Sequence, residues 1–145
     1  MKPSATHLTF GYPDTLVHQY RHWTVQVRPA QLTLGALVLV ATEDARSFAG
    51  LSEQAFTELA QVTKDAETAL KAFSAWQKIN YLMFMMVDPD VHFHVLPRYE
   101  GTRTFQGIDF PDRSWPTAPD LGLATRPPLD AIKAIAAHLE SIWPS

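Results

Sequence analysis

The chain is predicted to fold as an α+β layered structure, with a largely antiparallel sheet, one long central helix and a second helix near the end. Three observations carry this expectation. Short apolar runs occur both before and after the middle of the chain, a long stretch between them places apolar residues at three- and four-residue steps, and Pro, Gly and Asp mark the connections. Strands come in pairs on either side of one helix, so the order does not fit a doubly wound parallel sheet, and no glycine-rich phosphate loop is found. With 145 residues and 46% hydrophobic composition, residues 1–145 read as one domain around one core.

The elements follow in order. After a turn-rich entry with Gly11, Pro13 and Asp14, Trp23 to Val27 alternates apolar and polar residues, the pattern of a half-buried strand, and stops near Pro29. Leu34 to Ala41 is almost wholly apolar, as a central strand covered on both faces should be, with Thr33-Leu34-Gly35 as the turn into it. Ser52 is placed to cap a helix running to about Ala75, with Leu51 and Phe56 as a hydrophobic staple. Its predicted inner face is Phe56, Leu59, Thr63, Ala66, Leu70 and Phe73, and its outer face carries Glu58, Lys64, Glu67 and Lys71. Ile79 to Val87 and Val91 to Leu96 read as antiparallel neighbours joined by a tight turn at Asp88-Pro89. Beyond Arg98 a long Pro-, Gly- and Asp-rich stretch is expected to be a functional or partner-facing loop, and Leu129, Ile132, Ile135 and Leu139 mark the closing helix after Pro127-Pro128.

Composition narrows the function. A formal net charge of -3 lacks the basic excess that attracts a nucleic-acid polymer, while a single nucleotide remains an eligible ligand. Cysteine is absent, which removes disulfides, thiolate metal sites and cysteine nucleophiles, and leaves histidine as the soft nucleophile. No apolar run is long enough to span a membrane and Met1 to Phe10 has no signal-like apolar segment, so a cytoplasmic location is expected.

Chemistry concentrates in Asp88-Pro89-Asp90-Val91-His92-Phe93-His94-Val95-Leu96-Pro97-Arg98. On an extended strand, residues two apart share a face, so Asp90, His92 and His94 are expected in one row. Three readings fit such a row: a structural polar network, a metal site using Asp90, His92 and His94, or phosphoryl chemistry in which one imidazole attacks phosphorus and the other holds phosphate oxygens. His7, His18, His22 and His138 have no partners at suggestive spacing and are expected at the surface or as caps.

His-Phe-His-Val-Leu-Pro-Arg resembles the signature of the histidine triad (HIT) family, His-φ-His-φ-His-φ-φ with φ apolar, which in several members continues as Pro-Arg. Leu34 to Val40 is similar to the family's glycine-led strand, Leu51-Ser52 to its helix entry, and Asn80 to a phosphate-side asparagine; the likeness spans Trp23 to Arg98. The resemblance implies a HIT-like sheet of about five strands and a homodimer with joined sheets. It also implies a small nucleotide substrate, with no cofactor: a nucleotidyl hydrolase or transferase acting on the α-phosphate of a dinucleoside polyphosphate or nucleoside phosphoramidate, through a covalent nucleotidyl-histidine. His92 would be the nucleophile, while His94 and Asn80 would contact phosphate. Asp90 replaces the first histidine of the signature, and Ala36 and Arg28 stand where relatives often carry a histidine and an asparagine. Asp90 would accept a hydrogen bond beside the imidazoles, Arg28 would bring positive charge to the substrate or lie at the surface, and Arg98 would bind phosphate or form an ion pair. A catalytically impaired nucleotide-binding dimer is the alternative function.

Overall fold

The structure, a computed structural model, describes residues 1–144. A short helix α1 (Ala5–Thr9) leads into strands β1 (Leu16–Gln19), β2 (Trp23–Val27) and β3 (Leu37–Ala41). Helix α2 (Glu53–Ser74) follows, then β4 (Lys78–Leu82) and β5 (His92–Arg98), a hairpin of β6 (Thr102–Phe105) and β7 (Ile108–Pro111), and helix α3 (Leu129–Ile142). The main sheet has the order β1-β2-β3-β5-β4, and each neighbouring pair is antiparallel.

The two faces of this sheet divide the molecule. Trp23, Val25 and Val27 of β2, Leu37, Leu39 and Ala41 of β3, and Val95 of β5 belong to one buried cluster with Val62, Ala66, Ala69 and Leu70 of α2 and Ile132, Ile135 and Leu139 of α3. Burying each of the larger side chains contributes about 1.5–3 kcal/mol. The opposite face presents Thr24, Gln26, Val38, Val40, His92 and His94, because side chains alternate along each paired strand. The turn before β3 lets α2 approach closely. Gly35 has φ of +95°, and a Cβ there would lie 2.8 Å from Leu70 Cδ2.

Several expectations change. β2 is buried on both faces rather than one, since the N-terminal segment covers its polar side: the Gln26 amide donates to the carbonyls of His7 (3.1 Å) and Phe10 (3.3 Å). Ser52 caps α2 as expected, accepting from the Ala55 amide, but the helix rests on Ala55, Val62, Ala66, Ala69 and Leu70. Phe56 is exposed and its ring packs on Phe48. Alanines bring the helix axis near the sheet, which rotates the larger side chains to the flanks. β4 ends at Leu82 instead of Val87, and residues 83–91 form a loop that exposes Phe84, Met86 and Val87 in place of a tight turn. β1, α1 and the β6–β7 hairpin were not foreseen; the hairpin occupies the start of the long stretch read as a loop.

Candidate active site

The sheet fixes the histidine pair. His92 lies opposite Val40 and His94 opposite Val38, so both rings project from the face away from α2. Their centroids are 5.3 Å apart, with the planes nearly perpendicular. His92 Nδ1 is 2.7 Å from the backbone carbonyl of Asp90. A carbonyl can only accept, so Nδ1 carries the proton, and in the neutral ring Nε2 keeps its lone pair. Both histidines line a cavity of about 440 Å³.

His94 is held differently. Its Nδ1 is buried without a partner among the described residues, so the cheaper tautomer keeps a lone pair there and leaves Nε2–H to face the cavity. Burial, then the positive charge of Arg28, then His92 lower its pKa to about 4. His94 is therefore uncharged near neutral pH and offers a hydrogen bond rather than a proton.

Arg28 lines the same cavity, as the alternative of a substrate-side charge requires. Its Nη1 donates to the Ala30 carbonyl at 2.7 Å and its buried Nε has no partner among the described residues. Among the described residues no carboxylate forms an ion pair with it. Phe10 forms a wall that the sequence did not reveal, with its ring 5.8 Å from His92 and 5.6 Å from His94. The signal for it was indirect: Thr24 and Gln26 are polar residues on a central strand, and such groups need partners when buried. Phe84, Met86 and Val87 line the same cavity as exposed apolar side chains.

Three of the expected site residues sit elsewhere. Asp90 precedes β5, and its carboxylate does not join the histidine row; it accepts from Thr6 Oγ1 at 2.8 Å, has Arg46 Nε at 3.8 Å, and lines a separate cavity with Lys2, Ser4 and Glu43. Arg98 is on the same strand at even spacing from His94, but its guanidinium lies outside the histidine cavity and is fully engaged. It makes a bidentate ion pair with Asp112 (2.7 and 3.1 Å) and donates to Asn80 Oδ1 (2.9 Å) and the Thr117 carbonyl (2.9 Å). Asn80 is thus bound to Arg98, in a second cavity with Lys78 and Trp115, rather than beside the histidines. Of the remaining histidines, His7 is buried, not exposed, and completes a capping box with Ser4. His18 stacks on Trp143.

The architecture matches solved structures over nearly the whole chain. A histidine triad protein from Sinorhizobium meliloti superposes with a TM-score of 0.75 at 19% identity, over 97% of this chain and 96% of that one. The fold is that of the histidine triad proteins. A Bradyrhizobium japonicum histidine triad protein gives a TM-score of 0.70 at 21% identity, covering 88% and 90% of the two chains. Plasmodium falciparum diadenosine triphosphate hydrolase gives 0.65 at 9% identity, over 89% of this chain and 76% of its own. No protein-family model and no curated protein matches the sequence.

Within this HIT fold the Asp90, His92 and His94 side chains do not converge on one point, since the carboxylate is turned to Thr6; among the described residues no group of three His, Asp or Glu is arranged to hold a metal ion. Ala36 is fully buried against Leu32 and Leu96. No helix among the described residues is long and apolar enough to cross a membrane.

The depressed His94 pKa also predicts acid sensitivity. Between about pH 6.5 and pH 4 an unfolded chain protonates this imidazole and the folded one does not, so stability is full above the unfolded value and is lost as pH falls through that window. His7, whose pKa burial also lowers, acts in the same direction. Thermal melting across that range is expected to show a falling Tm, and His94→Gln is expected to reduce the fall; an equal fall in the variant would contradict the assignment.

Proposed function

We propose that the chain is a nucleotidyl hydrolase or transferase that acts on the α-phosphate of a nucleotide derivative through a covalent intermediate on His92. One observation carries this reading: the Nδ1–H of His92 is tied to a fixed carbonyl, which leaves a lone pair on Nε2 in a cavity shared with the Arg28 guanidinium, which among the described residues has no carboxylate partner. Diadenosine triphosphate hydrolase activity in a protein of the same fold is consistent with it.

In the first step Nε2 attacks phosphorus, an N–P bond forms, and the leaving group departs with the bonding electron pair. The imidazole becomes positively charged, and its Nδ1–H bond to the Asp90 carbonyl strengthens as that charge develops. Arg28 and the Nε2–H of His94 stabilise the negative oxygens. Water then attacks phosphorus, the N–P bond breaks with its electron pair returning to His92, and the proton that the attacking water loses passes to solvent. A departing polyphosphate leaves as an anion without needing a proton, whereas a departing amine takes one from water, because His94 is uncharged.

Asn80, Asp90 and Arg98 act as supports in this scheme, and no cofactor takes part. Purified protein mixed with dinucleoside polyphosphates and nucleoside phosphoramidates is expected to release a nucleoside monophosphate, faster from the polyphosphates. Nucleotide binding without release from any of them would favour the impaired binding protein instead.

The assembly is proposed to be a homodimer with joined sheets. β4 is a sheet edge, and between it and α2 lies a cavity of about 320 Å³ lined by Leu39, Leu59, Tyr81 and Phe93. Sedimentation of the purified chain is expected to give twice the 16.3 kDa monomer mass, and a monomer at micromolar concentration would rule this out.

A further inference from the structure

We propose that Thr6, on α1, is a positioning residue for His92 and acts through Asp90; the inference rests on the reading of His92 as nucleophile. The carbonyl that orients the imidazole belongs to Asp90, outside the strand ladder that fixes His92 itself. That peptide is held at two points. Its N–H side, from Val91, donates to the Ala45 carbonyl at 3.0 Å, and the Asp90 carboxylate accepts from Thr6 Oγ1 at 2.8 Å.

Both Thr6 and Asp90 are buried. The second contact to the carboxylate, Arg46 at 3.8 Å, comes from a side chain that is 68% exposed and holds it weakly. Thr6 is therefore the one close hydrogen bond that keeps a buried carboxylate in place among the described residues. The helix that carries Thr6 is in turn tied to the sheet: Gln26 donates to the carbonyls of His7 and Phe10, and Phe10 packs against both imidazoles. An N-terminal element thus reaches across 84 residues of sequence to the group that sets the tautomer of the nucleophile. Here the carboxylate that replaces the first signature histidine works as an anchor for its own backbone, not as a hydrogen-bond acceptor for His92.

The mechanism makes two different substitutions separable. Thr6→Val keeps the shape and removes the donor, so the Asp90 carboxylate must rotate or draw in water, and its carbonyl loses alignment with Nδ1. Thr6→Ser keeps the donor. The expected result for Thr6→Val is a fall in kcat of about tenfold to a hundredfold with little change in KM, because geometry at the reacting atom is lost while the cavity stays open. Thr6→Ser is expected to restore most of the rate.

A readout that needs no turnover is the ¹⁵N spectrum of the imidazoles in the free protein. Wild type is expected to show His92 as a single tautomer protonated on Nδ1, and Thr6→Val to show mixed tautomers or fast exchange of that proton. An unchanged His92 signal together with unchanged kcat in folded Thr6→Val would overturn the proposal. If Thr6→Val does not fold, Asp90→Asn and Asp90→Ala make the same comparison, since asparagine retains an acceptor for Thr6 and alanine does not; equal His92 spectra in the two would likewise overturn it. Should the wild-type protein turn over no substrate while the tautomer still depends on Thr6, the catalytic reading fails and the positioning stands.

Discussion

His92→Asn is expected to lower kcat/KM by on the order of 10³-fold or more, with nucleotide binding retained. The expectation follows from the electron pair: an asparagine amide fills part of the volume and can hydrogen-bond, yet it has no nucleophilic nitrogen. Arg28, His94 and Phe10 remain to hold the ligand, so the loss should fall on kcat, while a Kd for a nucleoside monophosphate should change by less than about tenfold. His94→Asn is expected to be milder, since it removes one neutral hydrogen bond to phosphate rather than the attacking atom. Steady-state kinetics and calorimetric titration on the same preparations separate the two effects. Retention of most activity in His92→Asn would show that the reaction runs without this imidazole.

Asp112→Ala is expected to be the most destabilising single change, at about 3–5 kcal/mol, because it strands a buried guanidinium. Arg98 is 4% exposed, and two of its nitrogens lean on Asp112, which also accepts from the backbone N–H of Tyr99 (3.2 Å) and Ser114 (3.3 Å). Removing the carboxylate therefore frees the base of the β6–β7 hairpin and the segment leading to Trp115. The pair itself need not add net stability: Arg98→Met combined with Asp112→Leu is expected to cost less than Asp112→Ala alone. Chemical denaturation checks this, and a loss below about 1 kcal/mol for Asp112→Ala would mean that water reaches the guanidinium.

How far residues alone carried the account differs by element. β3 and α2 were legible because Leu37 to Ala41 is uniformly apolar and because Ser52 stands at the head of a three-and-four-residue pattern. The strand alternation that puts His92 and His94 on one side needed only the period of an extended chain. The inner face of α2 was read in part: Ala66 and Leu70 are buried as expected, but Ala55 and Ala69 were outweighed by Phe56, since alanine contributes little to an apolar pattern yet determines how near a helix can come. The end of β4 was misplaced because Phe84, Met86 and Val87 look like strand residues, though the structure exposes them beside the cavity.

The candidate site was half visible. His92, His94 and Arg28 line one cavity, Arg28 having been read equally as a surface residue, whereas Asn80 and Arg98 satisfy each other, a pairing that depends on Asp112 fourteen residues downstream. Long-range partners of this kind leave no periodic trace. The same holds for Thr6 and Phe10, which come to the site only because β2 buries its polar face against the N-terminal segment.

The most direct test is the covalent intermediate itself. Protein mixed rapidly with a dinucleoside polyphosphate and quenched in alkali, where a phosphorus–imidazole bond persists, is expected to gain the mass of one nucleoside monophosphate, mapped by fragmentation to His92 and absent in His92→Asn. A wild-type protein that releases nucleotide with no adduct at any quench time, or an adduct that survives in His92→Asn, would contradict the account.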